Sequence, residues 1–258
     1  MTHQIRVEVS ADHVATVEFE NGARNHFDAA LIAGLADTFE RLDADGDTRA
    51  IVLCSAGRHF CAGADLAGAL RGSEPTVEAS TGSLYEEAAR LFAARTPVVA
   101  AVQGAAVGGG LGLALVADFR VAGPSTRFVA NFSRLGLHQG FGITVTLPSV
   151  IGSQRAQDLL YTGREVPGEE AASIGLCDRL TADGDVRSGA HALAAKVAAS
   201  APLAVVSIRQ TLRGDLADRV RAATALEQAE QVKLAATADF VEGVSATAER
   251  REPRFTGS

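Results

Sequence analysis

The chain has 258 residues, 47% of them hydrophobic, and carries 24 basic against 31 acidic side chains for a formal net charge of -7. That length and apolar content can bury a substantial core and exclude global disorder; the acidic balance argues against non-specific nucleic-acid binding but leaves room for a local phosphate site. The spacing of Cys54, Cys61 and Cys177 is that of neither a zinc site nor a disulfide framework, which fits a reducing, cytoplasmic compartment.

The opening MTHQIRVEVS holds no long apolar stretch and does not read as a signal peptide. Ile5–Val9 and Val14–Phe19 alternate and predict an edge hairpin. After a turn at Asn21–Asn25, Asp28 is placed to cap a helix whose apolar stripe is Leu31, Leu35, Phe39 and Leu42 and which ends within Asp43–Asp47. Ala50–Cys54 is apolar at every position, as a strand covered on both faces should be. A glycine-rich turn, 57-GRHFCAGAD-65, follows it. Ala67–Ser83 reads as a loop or weak helix, and Leu84–Ala94 as a helix with Leu84, Ala88, Leu91 and Phe92 inward.

Val98–Val102 is the next strand, followed by a second glycine-rich turn, 104-GAAVGGGLG-112, and a small-residue helix starting at Ala106 or Gly108 and running to Val116. Gln103 and the glycines interrupt Pro97–Ala117, so it reads as strand, turn and buried helix rather than a membrane span. Phe119–Ala122 and Arg127–Val129 are short strands; Ile143–Val150 and Gln154–Leu160 are helices; Ala171–Leu180 leads into a final strand or turn. Alanine-rich helices then follow at His191–Ser200, Pro202–Gly214, Leu216–Ala238 and Asp239–Glu252. The pattern predicts an α/β core over 1–190 and a helical region over 191–258 with a face to bury in an oligomer contact.

The two glycine turns are the chemically informative feature. Each follows an apolar run and presents bare backbone N–H groups, and two such turns can hold one developing negative charge between them. A well-placed donor of this kind is worth roughly 3–4 kcal/mol at an oxyanion. Cys61, in the first turn, lacks a helix start or basic partner to activate it as a nucleophile. Gly110 and Gly112 are no dinucleotide fingerprint, because Leu115 stands where the third glycine would. His3, His13, His26 and His191 have no metal-ligand spacing, and His59 sits in the first turn just before Phe60 and Cys61.

Four stretches, 50-AIVLCSAGRHFCAGADL-66, 97-PVVAAVQGAAVGGGLGLALVADFRVAG-123, 156-AQDLLYTGREVPGEEAASIGLCDRL-180 and 239-DFVEGVSATAERREPRF-255, resemble the crotonase (enoyl-CoA hydratase/isomerase) superfamily in the right order and over nearly the whole chain. The resemblance implies an α/β spiral of ββα units with a helical C-terminal trimerisation region, assembled as a homotrimer or dimer of trimers. It implies an acyl-CoA thioester ligand, with coenzyme A as part of the substrate and no prosthetic group, metal, nucleic acid or membrane insertion. The peptide N–H groups of Ala64 and Gly109 match the family's oxyanion hole, the backbone at Ala62, Asp65 and Leu66 its adenine wall, and Arg251 a basic residue near CoA. The two catalytic glutamates of family hydratases fall on Gly112 and Phe132. Neither residue can activate water or protonate an α-carbon, which argues against ordinary hydration; Phe132 instead makes that wall apolar.

The segment 134-RLGLHQGFG-142 offers replacements: His138 as a proton-transfer group and Gln139 as an orienting amide. Glu86, Glu87, Asn131 and Ser133 are weaker candidates, and Asp118 is expected to hold loop backbone. Three functions stay open: an acyl-CoA enzyme using the donor pair (a decarboxylase, hydrolase or isomerase among them), a non-catalytic acyl-CoA binder, and a structural subunit.

Overall fold

The edge hairpin forms as expected: β1 (Gln4–Val9) pairs antiparallel with β2 (Val14–Glu20), Val7 opposite Val17. The computed structural model describes residues 3–66, 68 and 77–258, with the backbone alone for 77–83. From β2 the sheet continues in parallel through β3 (Ala50–Ser55), β4 (Val98–Val102), β6 (Phe119–Ala122) and β9 (Arg179–Leu180), in the order β1-β2-β3-β4-β6-β9. A smaller sheet joins β5 (Ala105–Val107) in parallel to β7 (Arg127–Val129), and β7 antiparallel to β8 (Glu165–Pro167).

Both faces of the large sheet are covered, which explains the unbroken apolar runs. Ile51, Leu53, Val98, Ala100 and Val102 pack toward α1 (Ala29–Asp45) and α2 (Val77–Ala93), while Val52, Cys54, Val99 and Ala101 meet α7 (Val186–Ala198) through Ala190 and Ala194. Asp28 caps α1 by accepting from the Leu31 N–H at 2.7 Å, and Gly46 ends it at φ 72°. The alternating spiral with its helical C-terminal region is the crotonase-like α/β fold.

Several expected boundaries move. Helix α2 starts at Val77, seven residues before Leu84; residues 67 and 69–76 of the expected loop lie outside the described residues. Ala106 is in β5, not in a helix: Cys61 and Ala105–Val107 pair backbone to backbone, and helix α3 (Gly109–Ala114) begins only after Gly108. Strand β8 carries no alternation of its own and exists because β7 pairs with it. The division at 190/191 falls inside α7, which packs on the sheet.

Beyond the small sheet come α4 (Ile143–Ile151), α5 (Ser153–Thr162) and α6 (Gly168–Ile174), and beyond α7 come α8 (Pro202–Arg213), α9 (Leu216–Ala235) and α10 (Ala238–Glu249). Asp118 is structural: it accepts from the Val98 N–H at 2.8 Å and pairs with Arg209 (2.8 Å) and Arg213 (2.9 Å) of α8. Despite its burial, those two guanidinium groups hold its carboxyl below the usual range. Outside that anchor α8 leaves Leu203, Ile208 and Leu212 exposed. No single helix among the described residues is long and apolar enough to cross a membrane.

Candidate active site

The two glycine turns meet. A Cβ added to Gly63, which has φ +77°, would stand 2.9 Å from the Val107 carbonyl oxygen and 3.4 Å from the Gly109 nitrogen. Gly110 is pressed against the Cys61 carbonyl, and a side chain on Gly109 would collide with the Phe27 ring. Only glycine lets these main chains approach so closely.

Peptide geometry then sets where the N–H groups point. In a trans peptide, C=O and the following N–H are antiparallel. The Gly63 carbonyl accepts from the Phe27 N–H at 3.0 Å and faces His26 Nδ1 at 3.1 Å, so the Ala64 N–H is turned the other way. The Gly108 carbonyl accepts from Leu111 (3.0 Å) and Gly112 (3.3 Å), so the Gly109 N–H projects from the open end of α3. Among the described residues neither the Ala64 nor the Gly109 N–H has an acceptor. Both residues line a cavity of about 680 Å³.

One short segment braces both turns. Asn25 is buried at φ +49°; its Nδ2 donates to the Ala56 and His59 carbonyls at 2.7 and 2.8 Å, and its Oδ1 accepts from the Asn21 N–H. The Arg24 carbonyl accepts from the Ala62 N–H at 3.1 Å. Chain 24–27 therefore lies along 62–63 as a short tie, with the Phe27 ring beneath Gly109.

The deep end of the cavity is aromatic and aliphatic. Phe27 and Phe141 pack at 5.3 Å between ring centroids, joined by Phe132, Leu84, Leu135, Leu137 and Val244. Two polar side chains reach it. Tyr85 Oη donates to Gln231 Oε1 at 2.7 Å, and Gln231 Nε2 donates to the His138 carbonyl at 2.9 Å. Burial pushes the Tyr85 phenol well above its usual range. Asn131 also lines the cavity, with its Oδ1 buried and unpartnered among the described residues. Behind Phe141, the Glu227 carboxylate of α9 accepts from the Gly142 N–H (2.8 Å) and the Thr144 N–H (3.0 Å), at the start of α4. Burial raises its pKa.

The expected site residues divide. Ala62, Ala64, Asp65, Leu66, Gly109 and Phe132 line the cavity. Asp65 Oδ1 accepts from the Gly68 N–H at 2.9 Å. Gly112 lies behind the wall: a Cβ there would be 2.6 Å from Phe141 Cβ. His138 and Gln139 are not brought to the cavity. The His138 ring turns back to the Gln139 carbonyl, Nδ1 to O 2.8 Å, and Gln139 donates to Thr144 Oγ1 at 3.1 Å. Arg251 is taken up by Glu242 and Glu249, whose carboxylates raise its pKa, and it lies outside the cavity lining. Its neighbour Arg250, at φ 57°, is at the mouth with Arg24; neither has an acidic partner among the described residues. Glu87 pairs with Arg90, and Glu86 lies on the exposed helix surface near Arg221. Cys61 is fully buried and its pKa is pushed up to about 12, so it is a thiol at neutral pH.

Sequence reasoning missed Arg24, His26, Tyr85, Gln231 and Arg250. Their separations carry no motif; α9 packing along α2 and the tie at 24–27 bring them together. The one available signal was the dense polar turn NGARNH before the Asp28 cap. Among the described residues there is no cluster of three or more His, Cys, Asp or Glu side chains able to hold a metal ion.

The enoyl-CoA hydratase/isomerase family pattern matches residues 10–258. An enoyl-CoA isomerase/hydratase of Zymoseptoria tritici is 35% identical, covering 91% of this chain and 80% of that protein. The 1,2-epoxyphenylacetyl-CoA isomerase of Escherichia coli K12 is 34% identical over 90% of each. The crystal structure of an enoyl-CoA hydratase/isomerase from Pseudoalteromonas atlantica T6c superimposes with a TM-score of 0.85 at 31% identity, covering 98% of this chain and 99% of that one. Fold, glycine turns and relatives agree, and the chain belongs to the enoyl-CoA hydratase/isomerase (crotonase) family, whose chemistry is that of acyl-CoA thioesters.

Proposed function

We propose that the protein is an acyl-CoA enzyme in which the Ala64 and Gly109 N–H groups receive the thioester oxygen and stabilise the enolate formed from it. The observation that carries this reading is the pair of acceptor-free N–H groups in touching turns at the wall of one cavity. Charge that develops on the oxygen strengthens both hydrogen bonds, and the donors are already oriented before it forms. Arg24 and Arg250 at the mouth suit the phosphates of coenzyme A, and the backbone at Ala62, Asp65 and Leu66 its adenine.

The reaction differs from two-glutamate hydration. On the resemblance, Gly112 and Phe132 fall at the family's carboxylate positions, and among the described residues no glutamate lines the cavity. The acidic residues that do, Asp28 and Asp65, both accept from backbone N–H groups. Routes that make the enolate without a protein carboxylate, such as loss of CO₂ from a malonyl-type thioester, fit best. The aromatic wall suits a compact or ring-bearing acyl group, and the Escherichia coli relative is named for one, 1,2-epoxyphenylacetyl-CoA. The exposed Leu203, Ile208 and Leu212 of α8, with Leu226 of α9, support self-association as a trimer or dimer of trimers, and three free buried cysteines suit the cytoplasm.

A mass-spectrometric panel of saturated, enoyl and malonyl-type thioesters tests this: turnover of at least one class is expected. Tight binding with no turnover across the panel would instead establish the second reading, a non-catalytic acyl-CoA binder, which the carboxylate-poor wall favours. Absence of binding would end both.

A further inference from the structure

We propose that His26 is a positioning residue for the oxyanion donor at Ala64, acting through the carbonyl of Gly63. The inference rests on the thioester reading above and deepens it. The Gly63 oxygen is an acceptor only, so the His26 Nδ1 that lies 3.1 Å from it carries the proton. The same oxygen accepts from the Phe27 N–H at 3.0 Å. Two donors on one carbonyl fix the rotation of the Gly63–Ala64 peptide, where Gly63 at φ +77° has no side chain to resist tilting.

They also polarise it. Electron density drawn toward the Gly63 oxygen leaves the Ala64 N–H more positive, and hydrogen bonds in such a chain strengthen one another. His26 also lines the cavity, but its Nδ1–H meets the peptide on the side opposite the Ala64 N–H, so the proposed effect passes through the peptide. The imidazole is itself held in place: its residue's carbonyl accepts from Asn21 Nδ2 at 2.6 Å, and buried Asn25 locks the turn that precedes it.

An oxyanion donor is worth about 10²–10³ in kcat and a polarising neighbour strengthens a hydrogen bond by about 10–30%, so loss of the imidazole N–H should lower kcat about two- to eightfold. Two variants separate donor from bulk. His26→Leu removes the N–H; His26→Asn places an amide N–H where Nδ1–H stands. The readouts are kcat and KM on whichever thioester turns over, and the difference-infrared carbonyl stretch of bound 1-¹³C-butyryl-CoA, a saturated probe that needs no turnover. The proposal expects kcat to fall in His26→Leu with KM nearly unchanged, the bound carbonyl stretch to move back toward its free position, and both to recover in His26→Asn. Identical carbonyl shifts in wild type and His26→Leu would overturn it. So would equal impairment of the two variants, which would mean that ring packing alone matters. If butyryl-CoA binds the wild type with no carbonyl shift, the donor pair fails first and this inference with it.

Discussion

The two walls of the cavity are built on different principles. One consists of main chain: Gly63–Ala64 and Gly108–Gly109, pressed together by glycines and held by hydrogen bonds to carbonyls. The other consists of side chains, Phe27, Phe132, Phe141 and Tyr85, with Tyr85 bonded to Gln231 and the turn after Phe141 held by Glu227, both on α9. The first wall offers peptide N–H groups rather than side chains, and it closes only because glycine stands at 63, 109 and 110. The second depends on its side chains, and it is where the proposed departure from two-glutamate hydration lies. A family can keep the first and change reaction by rewriting the second.

The comparison can be broken most directly at Gly109. A valine there must displace the Phe27 ring, tilting the donor and overpacking the core. Turnover should fall about 10²-fold or more and stability by about 1–3 kcal/mol, read by steady-state kinetics and urea unfolding. Intact activity would show that the main-chain wall is not the donor.

Next is Glu227. Glu227→Leu strands the Gly142 and Thr144 N–H groups, each orphaned donor costing about 1–3 kcal/mol, and loosens Phe141. Glu227→Gln keeps an acceptor and removes the charge. Because burial raises this carboxyl's pKa above the ordinary 4.5, the folded state holds the proton to higher pH than the unfolded chain does. The ionised group therefore costs stability, and that cost is absent below the ordinary value, grows from there up to the raised one and is constant above it. Wild type should lose stability relative to Glu227→Gln over that rise; parallel curves in urea titrations from pH 4 to 8 would contradict it.

Gly112 and Phe141 test whether the side-chain wall is one unit. Gly112→Glu alone should destabilise by about 1–3 kcal/mol, since its Cβ meets Phe141 at 2.6 Å. Combined with Phe141→Ala the cost should shrink, and the shortfall from additivity measures the coupling. The smallest effect is expected at the mouth. Arg24→Ala and Arg250→Ala should each weaken acyl-CoA binding about two- to fivefold by calorimetry, and Arg251→Ala should leave it unchanged.

Much of this was legible in the sequence, for reasons that also mark where legibility stopped. The α1 stripe, the Asp28 cap and the doubly covered β3 announce themselves, since each is set by local period and burial. Of the three-residue strands, Arg127–Val129 is legible but Ala105–Val107 is not: Ala106 reads as a possible helix start until Cys61 and β7 pair with it. The glycine turns were readable because close backbone approach demands glycine. The direction of His138 was not. The turn that follows, with Phe141 at φ 63° and Gly142 at φ 75°, brings Phe141 rather than the imidazole to the cavity. Arg250 lines the cavity and Arg251 does not, because Glu242 and Glu249 capture the second arginine.

The acceptor-free N–H groups of Ala64 and Gly109 belong to peptide bonds, and no codon specifies a peptide bond. A point substitution can erase a glutamate outright, but it can reach these donors only indirectly, by bending the chain that carries them. Heritable variation therefore falls unevenly on this cavity: the proposed charge-stabilising part is passed on with the fold, while the groups that move protons are free to be lost, replaced or moved to another helix.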